Sequence, residues 1–472
     1  MSAPLEERTR ARLIDALTQA LGPDGVLTGA AIPARHASDW SGLPPVPPSA
    51  LLRPRSTEEV SAALRLCHAH GQAVTPQGGL TGLVGGARPV AGGMAITLER
   101  MSGVEEIDPA TATATVLAGT PLELIQRAAD DAGFYFALDI GARGSCTIGG
   151  NLATNAGGNR VLRYGMAREL TLGLEAVLPD GTVIGSLNKM LKNNTGLDLK
   201  QVFIGTEGIF GVITRAVLRL HPRPRSVVNA LCRCPGYDGV MALLRAAQTA
   251  LAGTLSSFEA MWPSYYDFMT SKLPELRRPL APGPGILVLL EATGSDPAGD
   301  PLRFESFLGD MLEAGTVADA VIAKSEKESR ELWALRDAVS EYGRILGPVV
   351  SFDVSFPIGL LGRIVGTVES RLRERWPGIV ALCYGHIGDS NLHVVANVPG
   401  AAAQPDAEIS ALVYGIVREF GGSVSAEHGI GTMKRAYLGY SRSPAEIALM
   451  RTLKRAIDPK NILNPGKVLP PA

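Results

Sequence analysis

The chain has 472 residues, 46% of them hydrophobic and 19% charged, an ordinary soluble composition with room for two or three domains and a large core. Its 45 basic and 46 acidic residues leave a net charge of -1, and no long basic run interrupts that balance, which argues against a nucleic-acid footprint. Five scattered cysteines (Cys67, Cys146, Cys232, Cys234 and Cys383) do not make a disulfide framework and fit a reducing compartment. The pair Cys232 and Cys234 has no second pair to complete a zinc site and reads as strand residues.

The N-terminal stretch "MSAPLEERTRARLIDALTQALG" mixes acids and bases and reads as an amphipathic helix, without the apolar core of a signal peptide. No apolar run approaches the roughly 20 residues of a membrane span, and a cytoplasmic location is expected. From about residue 50 the pattern becomes strand, helix, strand. "ALLRP" is extended, and Ser56 and Glu59 have capping-box spacing before "EEVSAALRLCHAH". Gly71 ends that helix and "QAVTP" begins the next strand. His68 and His70 fall in its last turn, where a cation suits the helix dipole.

Three glycine-rich stretches follow: "TPQGGLTGLVGGARP", "DIGARGSCTIGGNLATNAGGNRVLRYG" and "FIGTEGIFGVIT". Between them lie a helix at "PLELIQRAADDAG" and a hairpin at "LGLEAVLPDGTVI" with Asp180-Gly181 as its turn. "HPRPRS", residues 221–226, breaks the pattern and marks a domain boundary, with His221 a boundary residue. Beyond it, strands such as "GILVLLEATG" alternate with helices, which predicts an α+β domain with an antiparallel sheet and helices on one face. The tail "SPAEIALMRTLKRAIDPKNILNPGKVLPPA" is a helix and a proline-bounded turn.

One glycine loop serves a turn; three, also carrying Ser145, Thr147, Asn151, Thr154 and Asn155, call for one large anionic ligand. Backbone N–H groups in such loops make concave donors for phosphate oxygens. Neither G-x-x-x-x-G-K-[ST] nor a strand-bounded G-x-G-x-x-G is present, so neither a P-loop nor a Rossmann site is supported.

"GARGSCTIGGNLATNAGGNRVLRYG" and "NNTGLDLKQVFIGTEGIFGVIT" resemble the vanillyl-alcohol-oxidase-type (PCMH-type) FAD-binding domain, in its D-2-hydroxyglutarate and D-lactate dehydrogenase branch. The resemblance continues through "GHIGDSNLH", "EHGIG" and "DPKNILNPGKVL", so it covers nearly the whole chain in the family's order. It implies an α+β fold. A helical segment spans 1–45, a two-subdomain FAD-binding domain 46–225, a substrate domain with an antiparallel sheet 226–440, and a tail at 441–472 returns to the FAD site. FAD would be held by Pro76, Gln77, Gly78, Gly79, Leu80, Thr81 and Gly82 of the first loop. The second loop would add Gly144, Ser145, Gly149, Asn151, Thr154, Asn155 and Gly158, with Gly208, Ile213 and Asn464 from elsewhere. Some relatives hold flavin covalently through histidine; neither of these two loops contains one here, so noncovalent FAD is expected.

In "CYGHIGDSNLHVVANV", two apolar runs flank a polar turn, the pattern of a hairpin. His386 ends the first strand and His393 sits in the second. "SAEHGIGTMK" adds Glu427 and His428. Two imidazoles and a carboxylate are a common catalytic zinc set with positions left open for substrate. The family resemblance agrees: it implies a divalent metal, commonly zinc, on His386, His393 and Glu427, with His428 as general base and Asn391 on the substrate. Oxidising a 2-hydroxy acid needs a proton taken from the hydroxyl, which a metal acidifies, and a hydride passed to flavin N5. Imidazole, whose ordinary pKa lies near neutrality, suits the first task.

"RELWALRDAVSEYG" reads as a helix with Trp333, Arg336 and Ser340 on one face. Taken alone, Arg336 is an ordinary solvated residue. The resemblance implies that it binds the substrate carboxylate, with Ser340 where the hydroxyglutarate enzymes carry threonine. In "VVSFDVSFP", Ser351 stands where the family commonly has a carboxylate-binding lysine. The change removes a charge-assisted contact worth roughly 1.5–3 kcal/mol. It points away from 2-hydroxyglutarate toward a smaller or more apolar acid, unless a cation elsewhere replaces the lysine; 2-hydroxyglutarate, lactate, malate and related acids make up the expected substrate class. The expected activity is an FAD- and metal-dependent D-2-hydroxy-acid dehydrogenase. Its rivals are an oxidase of the same fold, a silent redox-partner subunit, and a metallohydrolase that would leave the glycine loops unexplained. Electron-transfer flavoprotein, quinone or cytochrome are the acceptors it admits, and a homodimer is among the assemblies it allows.

Overall fold

The computed structural model describes residues 7–471. It divides into two compact units. The first comprises residues up to Gly158, Gly165–Arg223 and Glu427 onward; the second comprises Asn159–Tyr164 and Pro224–Ala426. Among the described residues, no helix is long and apolar enough to cross a membrane.

In the first unit, the helix Glu7–Leu21 buries Leu13, Leu17 and Leu21, one face at four-residue spacing. The helix Thr57–His70 buries Val60, Ala63, Leu64 and Cys67 and ends at Gly71 in the left-handed conformation. Ser56 caps it by accepting from the Glu59 amide. Only half of the expected capping box forms. The Glu59 carboxylate accepts instead from the Arg55 amide at 2.8 Å and from the Arg55 guanidinium, a charged partner that outcompetes the neutral Ser56 amide. The helix leads into a four-stranded sheet in which Leu51–Leu52, Met94–Thr97 and Val74–Gln77 run parallel. The C-terminal tail extends its edge through a parallel bridge between Leu463 and Val74. A five-stranded antiparallel sheet completes the unit, in the order Val104–Asp108, Thr113–Leu117, Val212–Arg219, Thr171–Val177, Val183–Ser186. Its last pair is the predicted hairpin, turning at Asp180-Gly181.

The second unit is built on a seven-stranded antiparallel sheet. Its order is Asp319–Ile322, Ser226–Cys234, Ile286–Gly294, Leu255–Met261, Val380–His386, Asn391–Asn397, Val350–Ser355. Cys232 and Cys234 are strand residues, and all five cysteines are unpaired and buried. Side chains alternate along each strand, and directly paired residues share a face. Register therefore puts Leu231, Leu289 and Leu287, Glu259 and Met261, Tyr384 and His386, His393 and Val395, and Asp353 on one face. That face carries an apolar cluster with Tyr265, Tyr266 and Met269 of the helix Pro263–Lys272 and Leu332 and Leu335 of the helix Glu326–Asp337. Helices cover the other face as well, which corrects the one-faced expectation. Tyr414 of the helix Asp406–Glu419 packs edge-on against Phe352, and the helix Tyr237–Ala250 brings Gly239 against Cys234. The strands Leu255–Met261 and Asn391–Asn397 are buried along their whole length, and Ile286–Gly294 and Val380–His386 along all but one residue, so alternation of polar and apolar residues could not reveal an uncovered face.

Candidate active site

The expected flavin-binding residues all lie in the first unit, where the first and second loops are nested backbone to backbone. A Cβ on Gly79 would run into the Ser145 carbonyl and lie 2.7 Å from Cys146 Cα, and one on Gly78 would lie 2.7 Å from Thr147 Oγ1. Only glycine permits that approach. Pro76 and Gln77 close the parallel strand, Leu80 is left-handed at φ 61°, and Thr81 and Gly82 continue the loop past Asp39. Gln77 turns inward to bond His36 Nδ1 at 2.8 Å and the His36 and Ala87 carbonyls, so its backbone is what faces the loop.

In the second loop, Gly144 and Ser145 precede the short helix Ile148–Thr154, which contains Gly149 and Asn151. Thr154 Oγ1 donates to the Gly150 carbonyl, and Asn155 ends the helix at φ 50° with its side chain accepting from the Arg168 amide. Gly158, at φ 123°, lies against Asp139. Gly208 packs on Pro76, Ile213 sits in the strand Val212–Arg219, and Asn464 Nδ2 donates to the Gly86 and Glu207 carbonyls. The tail thus meets the first loop, as the resemblance implied. Two buried polar atoms in this cradle, Thr147 Oγ1 and Asn151 Oδ1, have no hydrogen-bond partner. Buried polar groups are otherwise almost always paired. Nested glycine backbone with orphaned side-chain donors and acceptors fits a phosphate-bearing cofactor such as FAD.

The second unit holds the other polar cluster, at one end of the sheet face described above. His386 closes the strand Val380–His386, a 3-10 turn Ile387–Asp389 follows, and Asn391 opens the return strand that carries His393. The predicted hairpin is therefore present, and it brings the two imidazoles to a ring separation of 5.5 Å, with one nitrogen of each within 4.8 Å of the other. Glu259, on the neighbouring strand, is fully buried and accepts from His386 Nδ1 at 2.7 Å and from Arg336 Nε at 2.8 Å. Nδ1–H is the only tautomer that gives this carboxylate a donor, so Nε2 carries the lone pair, and it accepts from Arg336 Nη2 at 3.1 Å. Burial alone would raise the Glu259 pKa; His386 and Arg336 outweigh it and hold the carboxyl below its ordinary value. Burial alone would likewise discharge Arg336, and Glu259 more than reverses that.

Arg336 lies over the Tyr384 ring at 4.7 Å, and its Nη1 makes no hydrogen bond among the described residues. Tyr384 in turn stacks on His393. Asn391 Nδ2 donates to Asp353 Oδ1 at 3.3 Å, whereas its buried Oδ1 has no partner. Ser351 is exposed on the edge strand Val350–Ser355, on the same face as Asp353. Ser340 departs from expectation. The α-helix ends at Asp337 and tightens into a 3-10 turn, so the spacing that aligns Trp333 and Arg336 does not extend to Ser340. Ser340 is exposed, and its hydroxyl reaches the Asp337 carbonyl.

Glu427 follows Ala426, the last residue of the second unit, and starts the final segment of the first. Its Oε1 accepts from the Gly158 amide at 2.9 Å. His428 comes next, ahead of a turn whose Ile430 and Gly431 amides both donate to the Glu207 carboxylate. Sequence reading missed Glu259, Asp353, Tyr384 and Glu207. The one available signal for Glu259 was a lone charge inside the strand "LSSFEAM", which needs a buried partner.

Comparison with known proteins places these sites in a family. Residues 48–185 match an FAD-binding domain model, and residues 223–468 match the C-terminal domain of FAD-linked oxidases. The mitochondrial D-2-hydroxyglutarate dehydrogenase of Bos taurus is 42% identical over 424 residues, 89% of this chain and 76% of that protein. The D-2-hydroxyglutarate dehydrogenase of Xanthomonas citri is 36% identical over 444 residues, 92% of each chain. A Schizosaccharomyces pombe relative with a D-lactate dehydrogenase name is 38% identical over 425 residues, 88% of this chain and 81% of that protein. Among solved structures, p-cresol methylhydroxylase shares the fold at a TM-score of 0.76 and 15% identity, covering 99% of this chain and 98% of that one. Alkyldihydroxyacetonephosphate synthase does so at 0.75 and 20% identity, covering 98% and 86%. The expected cytoplasmic location is overturned: relatives from Bos taurus, Rattus norvegicus, Arabidopsis thaliana and Schizosaccharomyces pombe carry "mitochondrial" in their names, and composition alone does not encode a compartment. The chain belongs to the FAD-linked oxidoreductases of the vanillyl-alcohol-oxidase type, in the branch of D-2-hydroxyglutarate and D-lactate dehydrogenases, and is an FAD-dependent dehydrogenase of 2-hydroxy acids.

Proposed function

We propose that the chain oxidises a D-2-hydroxy acid with a divalent cation, zinc by its donor set, held by His386, His393 and Glu427, and with noncovalently bound FAD. The observation that carries this reading is the buried Glu259–His386–Arg336 constellation beside His393. A carboxylate on the far nitrogen of a histidine fixes the ring and raises its basicity, the arrangement that accompanies metal-ligating histidines. Bound FAD would supply the hydride acceptor, and the bound cation the Lewis acidity.

The chain's own groups then divide the work. Arg336, anchored through Nε on Glu259, offers Nη1 to the substrate carboxylate. To ligate, His386 Nε2 gives up its contact with Nη2 while Glu259 keeps the ring in place. Asn391, whose buried Oδ1 has no partner, contacts the substrate. His428 takes the hydroxyl proton on an imidazole nitrogen. Ser340 and Ser351 receive the side-chain end of the substrate. Ser351 offers no cation to a second carboxylate, which favours an acid with a short or apolar side chain over the dicarboxylate. The test is metal and flavin content of purified wild type, His386→Ala and His393→Ala. Each variant should keep its FAD and lose most of its stoichiometric zinc. Full zinc occupancy in both would refute the ligand assignment.

A further inference from the structure

Glu207 is the least ordinary residue of the third glycine cluster. Its backbone is left-handed at φ 52°, a conformation that a non-glycine residue keeps only where the surroundings impose it. The surroundings do so on every side. Its amide donates to the Ala153 carbonyl at 2.7 Å, inside the helix of the second glycine loop, and its carbonyl accepts from Asn464 Nδ2 at 2.7 Å, in the C-terminal tail. With the main chain fixed there, the buried carboxylate points into the turn after His428. Oε1 accepts from the Ile430 amide at 2.7 Å and Oε2 from the Gly431 amide at 2.8 Å. These are two charge-assisted bonds to consecutive N–H groups, stronger than their neutral counterparts.

Gly429 is shaped to this partner. It sits at φ 83°, and a Cβ there would lie 2.8 Å from the Glu207 carboxylate. The far side of the turn is tied down by the Val84 carbonyl of the first loop, which accepts from the Thr432 amide at 2.9 Å and the Met433 amide at 3.3 Å.

We infer that Glu207 is a positioning residue for the proton transfer: its carboxylate fixes the Gly429–Gly431 turn and, through it, the backbone that carries His428. The inference rests on the reading of His428 as the base. It also ties that base to the cofactor loops, because the groups that impose the strained backbone of Glu207 belong to the second glycine loop and to the tail. Glu207→Gln separates this role from simple filling of space. Glutamine has nearly the same shape but only one acceptor, so one of the two amides faces an NH2 and loses its bond.

The experiment uses full-length holoenzyme, wild type and E207Q, with two readouts. Hydrogen exchange over residues 428–433 should quicken about tenfold or more in E207Q while FAD content stays at the wild-type level. Anaerobic flavin reduction by D-lactate or D-2-hydroxyglutarate should slow by about 10- to 100-fold with little change in half-saturating concentration, as expected for a misplaced reacting group. Its pH profile should also move. If E207Q matches wild type in exchange, rate and pH profile, the inference is wrong. If neither acid reduces wild type, the functional reading fails, and exchange still decides whether Glu207 holds the turn. Should E207Q not hold FAD, Gly429→Ala perturbs the same contact from the turn's side. It should keep FAD and show the same slowing, and a wild-type rate in G429A overturns the inference.

Discussion

Replacing Glu259 by glutamine removes one charge and one acceptor from a fully enclosed site. The carboxylate is 1% exposed and satisfies two donors at once, His386 Nδ1 at 2.7 Å and Arg336 Nε at 2.8 Å. Glutamine can accept from only one of them and turns an NH2 toward the other. The loss is therefore at least one charge-assisted bond, roughly 1.5–3 kcal/mol, plus the cost of a guanidinium left buried without its counter-charge. Breaking one side of a buried ion pair typically costs about 3–5 kcal/mol. For a domain of this size each kcal/mol lowers the unfolding temperature by about 2–4 °C, so differential scanning calorimetry of Glu259→Gln should show a fall of about 6–20 °C in the transition of the second unit. Zinc affinity, measured by competition with a chelating dye, should drop about 10- to 100-fold because His386 is no longer held in one tautomer. The double variant Glu259→Leu with Arg336→Met should recover much of the stability but none of the zinc affinity, since matched apolar replacement removes both buried charges. A fall under about 3 °C in Glu259→Gln would mean the pair is not desolvated as described, and the reasoning would not stand.

Acid should expose the same group. Because the Glu259 carboxyl is held below its ordinary value, its contribution is fully present above about pH 4.3 and is lost as pH falls through the lowered value. Wild type should therefore lose stability more steeply than Glu259→Gln as pH drops from 5 to 3, and parallel thermal curves would contradict this. Gly79→Ala should abolish FAD retention, read as the flavin-to-protein absorbance ratio, because the new methyl would occupy the Ser145 carbonyl and prise the two loops apart. Ser351→Lys should lower the KM for D-2-hydroxyglutarate by about tenfold or more, the equivalent of a single charge-assisted contact, and leave D-lactate nearly unchanged. Equal effects on both acids would remove Ser351 from the side-chain end of the substrate.

Local features were the legible ones. The hairpin bearing His386 and His393 could be read because two apolar runs surround a short polar turn, and both strands and the turn fall where that pattern places them. The helix after Ser56 was equally readable from its cap and its glycine stop. Its capping box was half right, because a rival partner, the Arg55 guanidinium, lies outside the four-residue motif. Ser340 shows the limit of helical spacing: three- and four-residue intervals describe a face only while the helix stays α, and here it tightens after Asp337. Long-range partners were not legible at all. Glu259 meets Arg336 and His386 across 77 and 127 residues, a pairing set by strand order and register in the sheet. Glu207 meets its turn across 223 residues. For such groups sequence shows only that an acid sits where burial would be costly, and the fold supplies its partner.

The most direct test of the account is anaerobic bleaching of the flavin in metal-replete protein. D-lactate, D-malate, D-mandelate and D-2-hydroxyglutarate would each be offered beside the L enantiomer. The oxidised flavin spectrum should be lost with a D acid and not with its mirror image. Reduction should be faster with the shorter or more apolar acids than with 2-hydroxyglutarate, and absent once a chelator has removed the metal. A protein that holds FAD but is bleached by none of these acids, or is bleached equally well after its metal is stripped, would contradict it.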